Sequence, residues 1–400
     1  MEYTIEGVYA THLRLIRNVK MDFCRYLYDR IEWDAHLIGI KGARGVGKTT
    51  LMLQHIKETF GESEKALYVS LDNLFFATHS LTEIVEYHYS HGGTHLFIDE
   101  VHRYPKWQTL LKNISDEYPD LYVVYTGSSM LKIDYSEGDL SRRQIVYMFY
   151  GMSFREFLAF EGAYNMDSIS LEELLGGHVG IAMKMTEKIK VLPLFEKYLK
   201  MGYYPFYKRD KAGFADRIQA IVREVLYEDL PAIEDVSFET VVKTRHMLMI
   251  LAEKVPQTPN LVELYRVLDT TRDSGIKMLY NLERAGLIAL VTSEKKNMKA
   301  LVKPDKILLD NPTLMSALTM RNDKGTMRET FFNNQLSAVG TVSYPPKGDF
   351  LVNGKYLFEV GGKGKSFDQI KDVPDSFLAV DDTEIGHFNR IPLWMFGLLY

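Results

Sequence analysis

The sequence contains very little cysteine, since Cys24 is the one thiol among its 400 residues. A single cysteine cannot form an intramolecular disulfide, and it excludes a zinc site built from several thiolates. It also suits a reducing compartment, so we expect a cytoplasmic protein. The chain starts with Met-Glu-Tyr-Thr-Ile-Glu, which has neither the basic nor the apolar segment of a secretory signal, and no signal peptide is expected.

Long apolar runs and an excess of one charge are also missing. No stretch approaches the roughly 18 consecutive apolar residues of a membrane-spanning helix, so we expect no membrane partner. Lys and Arg number 48 against 53 Asp and Glu, and the resulting net charge of −5 argues against indiscriminate binding of polyanions. The hydrophobic share of 46% is that of a folded protein. The length predicts about two to four domains.

A glycine-rich loop within residues 36–50 is the feature around which the chain is organised. Apolar residues 37–40 predict a buried strand, and the pattern Gly42-x-x-x-x-Gly47-Lys48-Thr49 follows it. Residues 50–57 then place apolar side chains on one helical face. Strand, loop and helix in this order are the context in which such a pattern binds phosphate. The alternative is a glycine-rich turn in another kind of parallel-sheet protein.

Each part of this loop has a chemical purpose. Glycines let backbone N–H groups approach phosphate oxygens without a Cβ atom in the way, and the following helix adds the positive end of its dipole. Lys48 reaches the β- and γ-phosphates, and the Thr49 hydroxyl ligates Mg²⁺. We predict an ATP site formed by consecutive residues of the loop and helix start: Gly42, Ala43, Arg44, Gly45, Val46, Gly47, Lys48, Thr49 and Thr50.

A further apolar strand, after a second strand predicted at residues 65–72, ends in the acidic pair Asp99 and Glu100. Asp99 at the strand end is expected to hold Mg²⁺, through water or through Thr49, and Glu100 is placed to polarise the attacking water. An acidic pair that ends a strand is also common in solvated turns. Its position after a phosphate loop, with a helix, a strand and a helix between, favours the catalytic interpretation.

Two further positions are candidates for contact with the γ-phosphate. Residues 121–129 predict a strand that ends in small polar residues, and Ser128 is the first candidate sensor, with Thr126 second. A turn with a helix N-cap is the alternative there. Arg143 follows on a predicted loop, where a guanidinium would stabilise the charge of the transition state. Tandem arginines on a loop are, however, more often surface charges.

The next segments predict a helical connector and a helix-turn-helix. Residues 236–300 predict two helices, a turn, a third helix and the start of a β-hairpin, which is the outline of a winged helix. Its third helix exposes Arg272, Ser274 and Lys277, which could meet DNA. A protein–protein spacer is the alternative for this module.

Five motifs, in their order along the chain, resemble one prokaryotic group of AAA-type ATPases. They are the phosphate loop, FIDEVHRYPKW, VVYTGSS, LSRR and YGMSFREFLAF. Members of that group carry a winged-helix segment and a C-terminal domain of unknown function that resembles restriction endonucleases. The resemblance covers nearly the whole chain. It implies an ATPase whose cofactors are ATP and Mg²⁺, with an undefined biological role.

The predicted fold class is α/β. A P-loop NTPase parallel sheet flanked by helices is followed by a helical lid, a winged helix and a small α/β nuclease-like domain. The predicted boundaries are residues 1–151 for the ATPase core with its N-terminal helices, 152–235 for the lid and connector, 236–300 for the winged helix and 301–400 for the last domain.

In the last domain, Glu329, Asp349 and Glu359 look like the metal ligands of a PD-D/ExK nuclease, in which carboxylates hold Mg²⁺ and a lysine activates water. The lysine of that motif belongs two residues after the last acid, at Gly361 here. Lys363 is the nearest substitute, and it stands four residues after Glu359. We therefore expect a degenerate site without nuclease activity.

The hairpin that carries two of these acids raises a second objection. Asn353-Gly354 between alternating apolar residues predicts a two-residue turn. Such a turn pairs Asp349 with Phe358 and directs Glu359 to the opposite face, unless a bulge restores one face.

Together these observations predict an ATP-hydrolysing molecular switch that responds to an unidentified protein partner. An ATP-gated DNA nuclease and a DNA-binding, ATP-dependent regulator are the alternatives.

Overall fold

The chain divides into two compact units, Met1–Tyr150 with Ala232–Asp235, and Gly151–Pro231 with Val236–Tyr400. The three modules predicted after residue 151 therefore fall almost entirely in one unit. None of the helices in the described ranges is long and apolar enough to cross a membrane. A computed structural model describes residues 4–128, 140, 142–209, 211–233, 235–254, 260–294, 303–319 and 323–400.

A parallel sheet forms the centre of the first unit, and its strand order within the described residues is β2-β3-β4-β1-β5. The strands are β1 (Leu37–Gly42), β2 (Ala66–Ser70), β3 (His95–Asp99), β4 (Tyr122–Ser128) and β5 (Ile145–Met148). The α-helices are α1 (Ile5–Asn18), α2 (Lys48–Thr59), α3 (Leu81–Ser90) and α4 (Trp107–Glu117). This arrangement confirms the predicted P-loop NTPase fold.

The central strands are apolar along their length because both faces of the sheet are covered. Leu37, Ile38 and Ile40 of β1 are fully buried, as is the run from Leu96 to Ile98 in β3. All pairs in this sheet are parallel, so the carboxyl ends of its strands meet at one edge. Side chains that end β1, β3 and β4 are therefore brought together there.

The rest of the chain is mostly helical up to residue 284 and mixed thereafter. Its α-helices are α5 (Phe154–Phe160), α6 (Leu171–Thr186), α7 (Val191–Lys197), α8 (Phe214–Glu224), α9 (Leu230–Ile233), α10 (Phe238–Lys254), α11 (Leu261–Val267), α12 (Arg272–Arg284), α13 (Pro312–Leu318) and α14 (Lys324–Ser337). Its strands are β6 (Ile288–Val291), β7 (Lys306–Leu309), β8 (Val342–Ser343), β9 (Phe350–Val352), β10 (Tyr356–Gly361), β11 (Ser376–Val380) and β12 (Arg390–Pro392).

Strands β6 and β7 pair with each other in antiparallel fashion, and β8 to β12 form a mixed sheet of order β12-β11-β10-β9-β8. The domain boundary predicted at residue 300 therefore falls between two paired strands. In the structure β7 completes the hairpin that follows α12.

The connection between β9 and β10 is one residue longer than the two-residue turn considered above. Residues 353–355 form it, and the first two have φ angles of 53° and 64°, in the left-handed region. The register pairs Phe350 with Phe358. The predicted pairing of Asp349 with Phe358 is therefore shifted by one residue over the paired part of the hairpin. The N–H of Asp349 donates to the main-chain oxygen of Phe358 at 2.9 Å, so the regular pairing ends before Asp349.

Candidate nucleotide-binding site

The glycine loop connects β1 directly to α2. Gly45 and Gly47 have φ angles of 86° and 105°, a region that glycine adopts far more readily than other residues. Gly42 has a different reason to be glycine, because a Cβ atom there would lie 2.3 Å from the carbonyl oxygen of Phe149. Helix α2 begins at Lys48, so its N-terminal N–H groups face the loop. A loop of this shape suits an anion.

The Lys48 side chain is buried and lies over this loop. Its Nζ donates to the main-chain oxygens of Gly42 at 2.9 Å and Ala43 at 3.1 Å. The ammonium is therefore held at the concave side of the loop, where phosphate oxygens of a bound nucleotide would lie.

Asp99 is buried at the end of β3 and accepts hydrogen bonds on both carboxylate oxygens. Its Oδ2 accepts from the hydroxyls of Thr49 at 2.6 Å and Tyr68 at 2.8 Å. Its Oδ1 accepts from the Thr126 hydroxyl and, at 3.1 Å, from the N–H of Glu100. The expected pair of Thr49 and Asp99 is present.

Two of these partners were not assigned to Asp99 from the sequence. Tyr68 was not considered at all, and Thr126 was considered only as a γ-phosphate sensor. Both lie on strands adjacent to β3: Tyr68 is the middle residue of β2, and Thr126 stands near the carboxyl end of β4. Their polar side chains within apolar runs were the signal that could have identified them.

Glu100 adopts a left-handed backbone with φ 55° and ψ 45°, which is uncommon for a residue with a side chain and is often found at functional sites. Its Oε2 lies 3.4 Å from Nε2 of the buried His102. Burial raises the pKa of Glu100 and so does the nearby Asp99, while Lys48, His102 and Arg44 oppose the increase. A raised pKa suits a carboxylate that accepts a proton from water.

The two predicted γ-phosphate contacts are placed differently. Ser128 ends β4, and its side chain lies outside the described part of the chain. Arg143 donates from Nε to Oδ1 of Asp116 in α4 at 3.0 Å, and these side chains are 34% and 43% exposed. The structure therefore places Arg143 in a surface ion pair, and its role at a γ-phosphate stays a prediction.

The donor set at Asp99 fits magnesium. The Thr49 hydroxyl and the Asp99 carboxylate supply the oxygen ligands that Mg²⁺ prefers. Among the residues that the structure describes, no group of three or more His, Cys, Asp or Glu side chains is placed to hold a metal ion.

A second group of charged side chains lies in the second unit and is called the acid–lysine cluster below. Lys306 donates from Nζ to Oε2 of Glu329 at 2.7 Å and lies 3.5 Å from Oδ1 of Asp349. Lys365 Nζ lies 2.8 Å from Oε1 of Glu359, whose side chain is 3% exposed. The three predicted acids thus lie close to one another, with two ammonium groups against them.

The lysine beside Glu359 is Lys365 and not the expected Lys363. Lys363 is exposed, and its main-chain oxygen accepts from Arg390 at 2.9 Å. The chain turns after β10, with the N–H of Lys365 donating to Gly362 at 2.9 Å. This turn brings the later lysine back to the hairpin, which spacing along the sequence alone does not reveal.

Lys306 is not among the site residues predicted from the sequence, yet it is central to the acid–lysine cluster. Its ammonium lies between the helix acid and the hairpin acid and 4.6 Å from the centre of the Phe350 ring. Burial raises the pKa of Glu329, an effect that Lys306 opposes and Asp349 reinforces. A lysine charge therefore occupies the place where a divalent cation between two carboxylates would be expected.

Comparison with known proteins gives two matches to family models. Residues 34–158 match a family described as an AAA domain, and residues 192–325 match a domain of unknown function, DUF8612. An uncharacterized protein of Methanocaldococcus jannaschii is 28% identical over 284 residues, which cover 68% of this chain. The match spans 60% of the length of that relative.

Solved structures also align with much of the chain, at low scores. A point variant of RuvB from Thermotoga maritima has 17% identity and a TM-score of 0.28, covering 73% of this chain and 90% of that chain. DnaA from Aquifex aeolicus bound to AMPPCP has 15% identity and a TM-score of 0.26, covering 70% and 91%.

Proposed function

We propose that this protein binds ATP with Mg²⁺ and hydrolyses it, acting as an AAA-type molecular switch. The observation that carries this proposal is the group at the carboxyl edge of the parallel sheet. There Lys48 lies over the loop, Thr49 donates to Asp99, and Glu100 follows with a raised pKa. The AAA-domain match over residues 34–158 supports it.

In the proposed reaction the loop N–H groups and the start of α2 bind the phosphates, and Lys48 neutralises charge on their oxygens. Thr49 and Asp99 would hold the Mg²⁺ ion, which when bound offsets the charge on the transferring phosphoryl group. Glu100 orients a water molecule and accepts its proton, for which its raised pKa is suited. Burial of the site strengthens each of these electrostatic interactions.

Two substitutions separate binding from turnover. Lys48→Ala removes the ammonium over the loop, and we expect it to abolish ATP binding. Glu100→Gln keeps the shape of the side chain but removes the base, so binding should persist while turnover falls at least about 100-fold. Glu62→Gln, in an exposed ion pair with Arg17, is the matched control for loss of one carboxylate. Equal hydrolysis by wild type and Glu100→Gln would refute the role of this acid.

A second candidate function is DNA binding through α12, in agreement with the predicted winged helix. Arg272, Ser274 and Lys277 are exposed on this helix, while Ile276 and Leu279 on its other face are buried. Contacts to DNA phosphates release counterions, so affinity should fall steeply as salt rises. Lys277→Ala should weaken binding and reduce the salt dependence by about one charge. Affinity that does not vary with salt would rule out this function.

For the second unit we propose a nuclease-like domain that does not cut DNA. Its acids lie together, but the contacts of Lys306 with Glu329 and Asp349 argue against a metal ion between them. The alternative, an ATP-gated nuclease, predicts cleavage of DNA in the presence of ATP and Mg²⁺ or Mn²⁺. Cleavage that exceeds that of a Glu359→Ala variant would establish the alternative, and equal background would support the proposal.

A further inference from the structure

The segment that precedes β1 carries a buried arginine that the proposed reaction does not use. Arg25 is 5% exposed and lies outside residues 34–158, the part that matches the AAA-domain family. Its Nη1 donates to the main-chain oxygen of Val46 at 2.6 Å, and its Nη2 donates to that of Tyr150 at 2.9 Å. The guanidinium carbon lies 4.5 Å from the centre of the Phe149 ring. Both terminal nitrogens of the planar guanidinium group therefore donate to main-chain oxygens, and its face lies on the Phe149 ring.

The first of these acceptors belongs to the phosphate loop. Val46 is fully buried, and its carbonyl shares one planar trans peptide with the N–H of Gly47. In such a peptide the C=O and the N–H point in opposite directions. When Arg25 holds the oxygen on the outer side of the loop, the N–H of Gly47 is directed to the inner side.

The second acceptor lies two residues after β5, in the segment that contacts the first glycine of the loop. Tyr150 follows Phe149, whose carbonyl oxygen lies so close to Gly42 that no Cβ would fit there. The N–H of Phe149 donates to the main-chain oxygen of Lys41 in β1 at 2.8 Å. Arg25 therefore links the end of the loop, at Val46, to Tyr150, which adjoins the residue that contacts Gly42 at the start of the loop.

We infer that Arg25 is a positioning residue of the phosphate loop. It holds the peptide between Val46 and Gly47 with the N–H of Gly47 directed toward the phosphates of a nucleotide, and it contacts no phosphate itself. This inference rests on the proposed function, because it assumes that ATP binds at this loop. A loop already fixed in its binding geometry loses less entropy when the ligand arrives. The effect of Arg25 is therefore expected in nucleotide affinity and not in the chemical step.

Two variants test this inference in the full-length chain. Arg25→Met keeps an apolar chain against Phe149 but has no donor, and Arg25→Lys keeps the charge without the two-ended fork. The affinities for Mg-ATP and Mg-ADP are measured by calorimetry, together with turnover at saturating ATP and the thermal unfolding midpoint. We expect Arg25→Met to lower the affinity for both nucleotides about tenfold or more. The affinity of Arg25→Lys should lie between those of Arg25→Met and wild type. Turnover at saturating ATP should stay within about twofold of wild type in both variants.

Arg17→Met is the matched control, because this exposed arginine lies in the same N-terminal part and its guanidinium donates to the surface acid Glu62. Unchanged affinity in both Arg25 variants would overturn the inference, as would a loss of saturated turnover equal to the loss of affinity. If Arg25→Met does not fold, Arg25→Lys decides the question by the same two criteria. Failure of the wild-type protein to bind ATP would instead refute the proposed function.

Discussion

Replacement of Lys306 by methionine tests whether a lysine charge holds the acid–lysine cluster together. The side chains of Lys306, Glu329 and Asp349 are 11%, 17% and 20% exposed, so all three are largely withdrawn from water. Methionine retains an apolar chain over Phe350 but leaves the two acids without the cation between them. Removal of one partner from a buried ion pair costs about 3–5 kcal/mol. Because these acids keep some contact with water, we expect the lower end, ~3 kcal/mol.

The change in the free energy of unfolding of the second unit can be measured by tryptophan fluorescence during urea unfolding. The chain contains three tryptophans, and Trp394 is the one in the second unit. Trp33→Phe and Trp107→Phe therefore give a background in which fluorescence reports on that unit. Lys200→Met is the matched control, since its ion pair with Glu196 is 59% and 70% exposed and should contribute less than about 1 kcal/mol.

A second substitution and a metal ion sharpen this test. Adding Glu329→Gln to Lys306→Met removes one of the two unpaired acids, so the double variant should be more stable than Lys306→Met alone. Mn²⁺ should also stabilise Lys306→Met and not wild type, because two carboxylates without a lysine can share a divalent cation. If Lys306→Met is as stable as Lys200→Met, the ammonium does not hold the cluster and the reasoning fails.

Two further predictions concern hydrogen bonding and pH. Tyr68→Phe removes a hydroxyl that donates to buried Asp99. We expect the first unit to lose about 1.5–3 kcal/mol in its free energy of unfolding, measured by urea unfolding. An unchanged urea midpoint would contradict this prediction. In the second unit, burial raises the pKa of Asp310 to about 6 and that of Glu283 to about 7. Between about pH 4 and 7 the folded chain keeps protons on these two acids that the unfolded chain has released, so the free energy of unfolding should fall as pH rises over that range. Asp310→Asn should make the free energy of unfolding less dependent on pH, which thermal unfolding at several pH values would measure.

The parts of the molecule that could be predicted from the sequence are those in which chemistry fixes local spacing. A phosphate loop must follow a strand and open a helix, which located Lys48 and Thr49. In a parallel sheet the ends of strands meet at one edge, which placed Asp99 beside Thr49 although fifty residues separate them. Tyr68 could not be predicted in this way, because it stands in the middle of β2 and a tyrosine within an apolar run is typical of ordinary packing.

The parts that could not be predicted depend on one-residue differences or on distant contacts. Asn353-Gly354 is the usual sequence of a two-residue turn, yet Lys355 joins the loop and its N–H donates to Val352 at 3.1 Å. One added residue shifts the pairing of the two strands by one position, and the sequence pattern does not reveal it. The contact of Lys306 with Glu329 spans 23 residues along the chain, and no local pattern encodes it.

The identity of the cation among these acids decides what the second unit can do. Mg²⁺ requires oxygen ligands at about 2.0–2.1 Å in octahedral geometry. The Nζ of Lys306 instead lies at 2.7 Å and 3.5 Å from the two carboxylates, which are distances of hydrogen bonds and ion pairs. A metal ion would have to displace a lysine fixed at the start of β7, leaving a largely buried ammonium unpaired. Nuclease chemistry would therefore require the Lys306 ammonium to leave these two carboxylates, whereas the proposed ATPase site uses no side chain from this cluster.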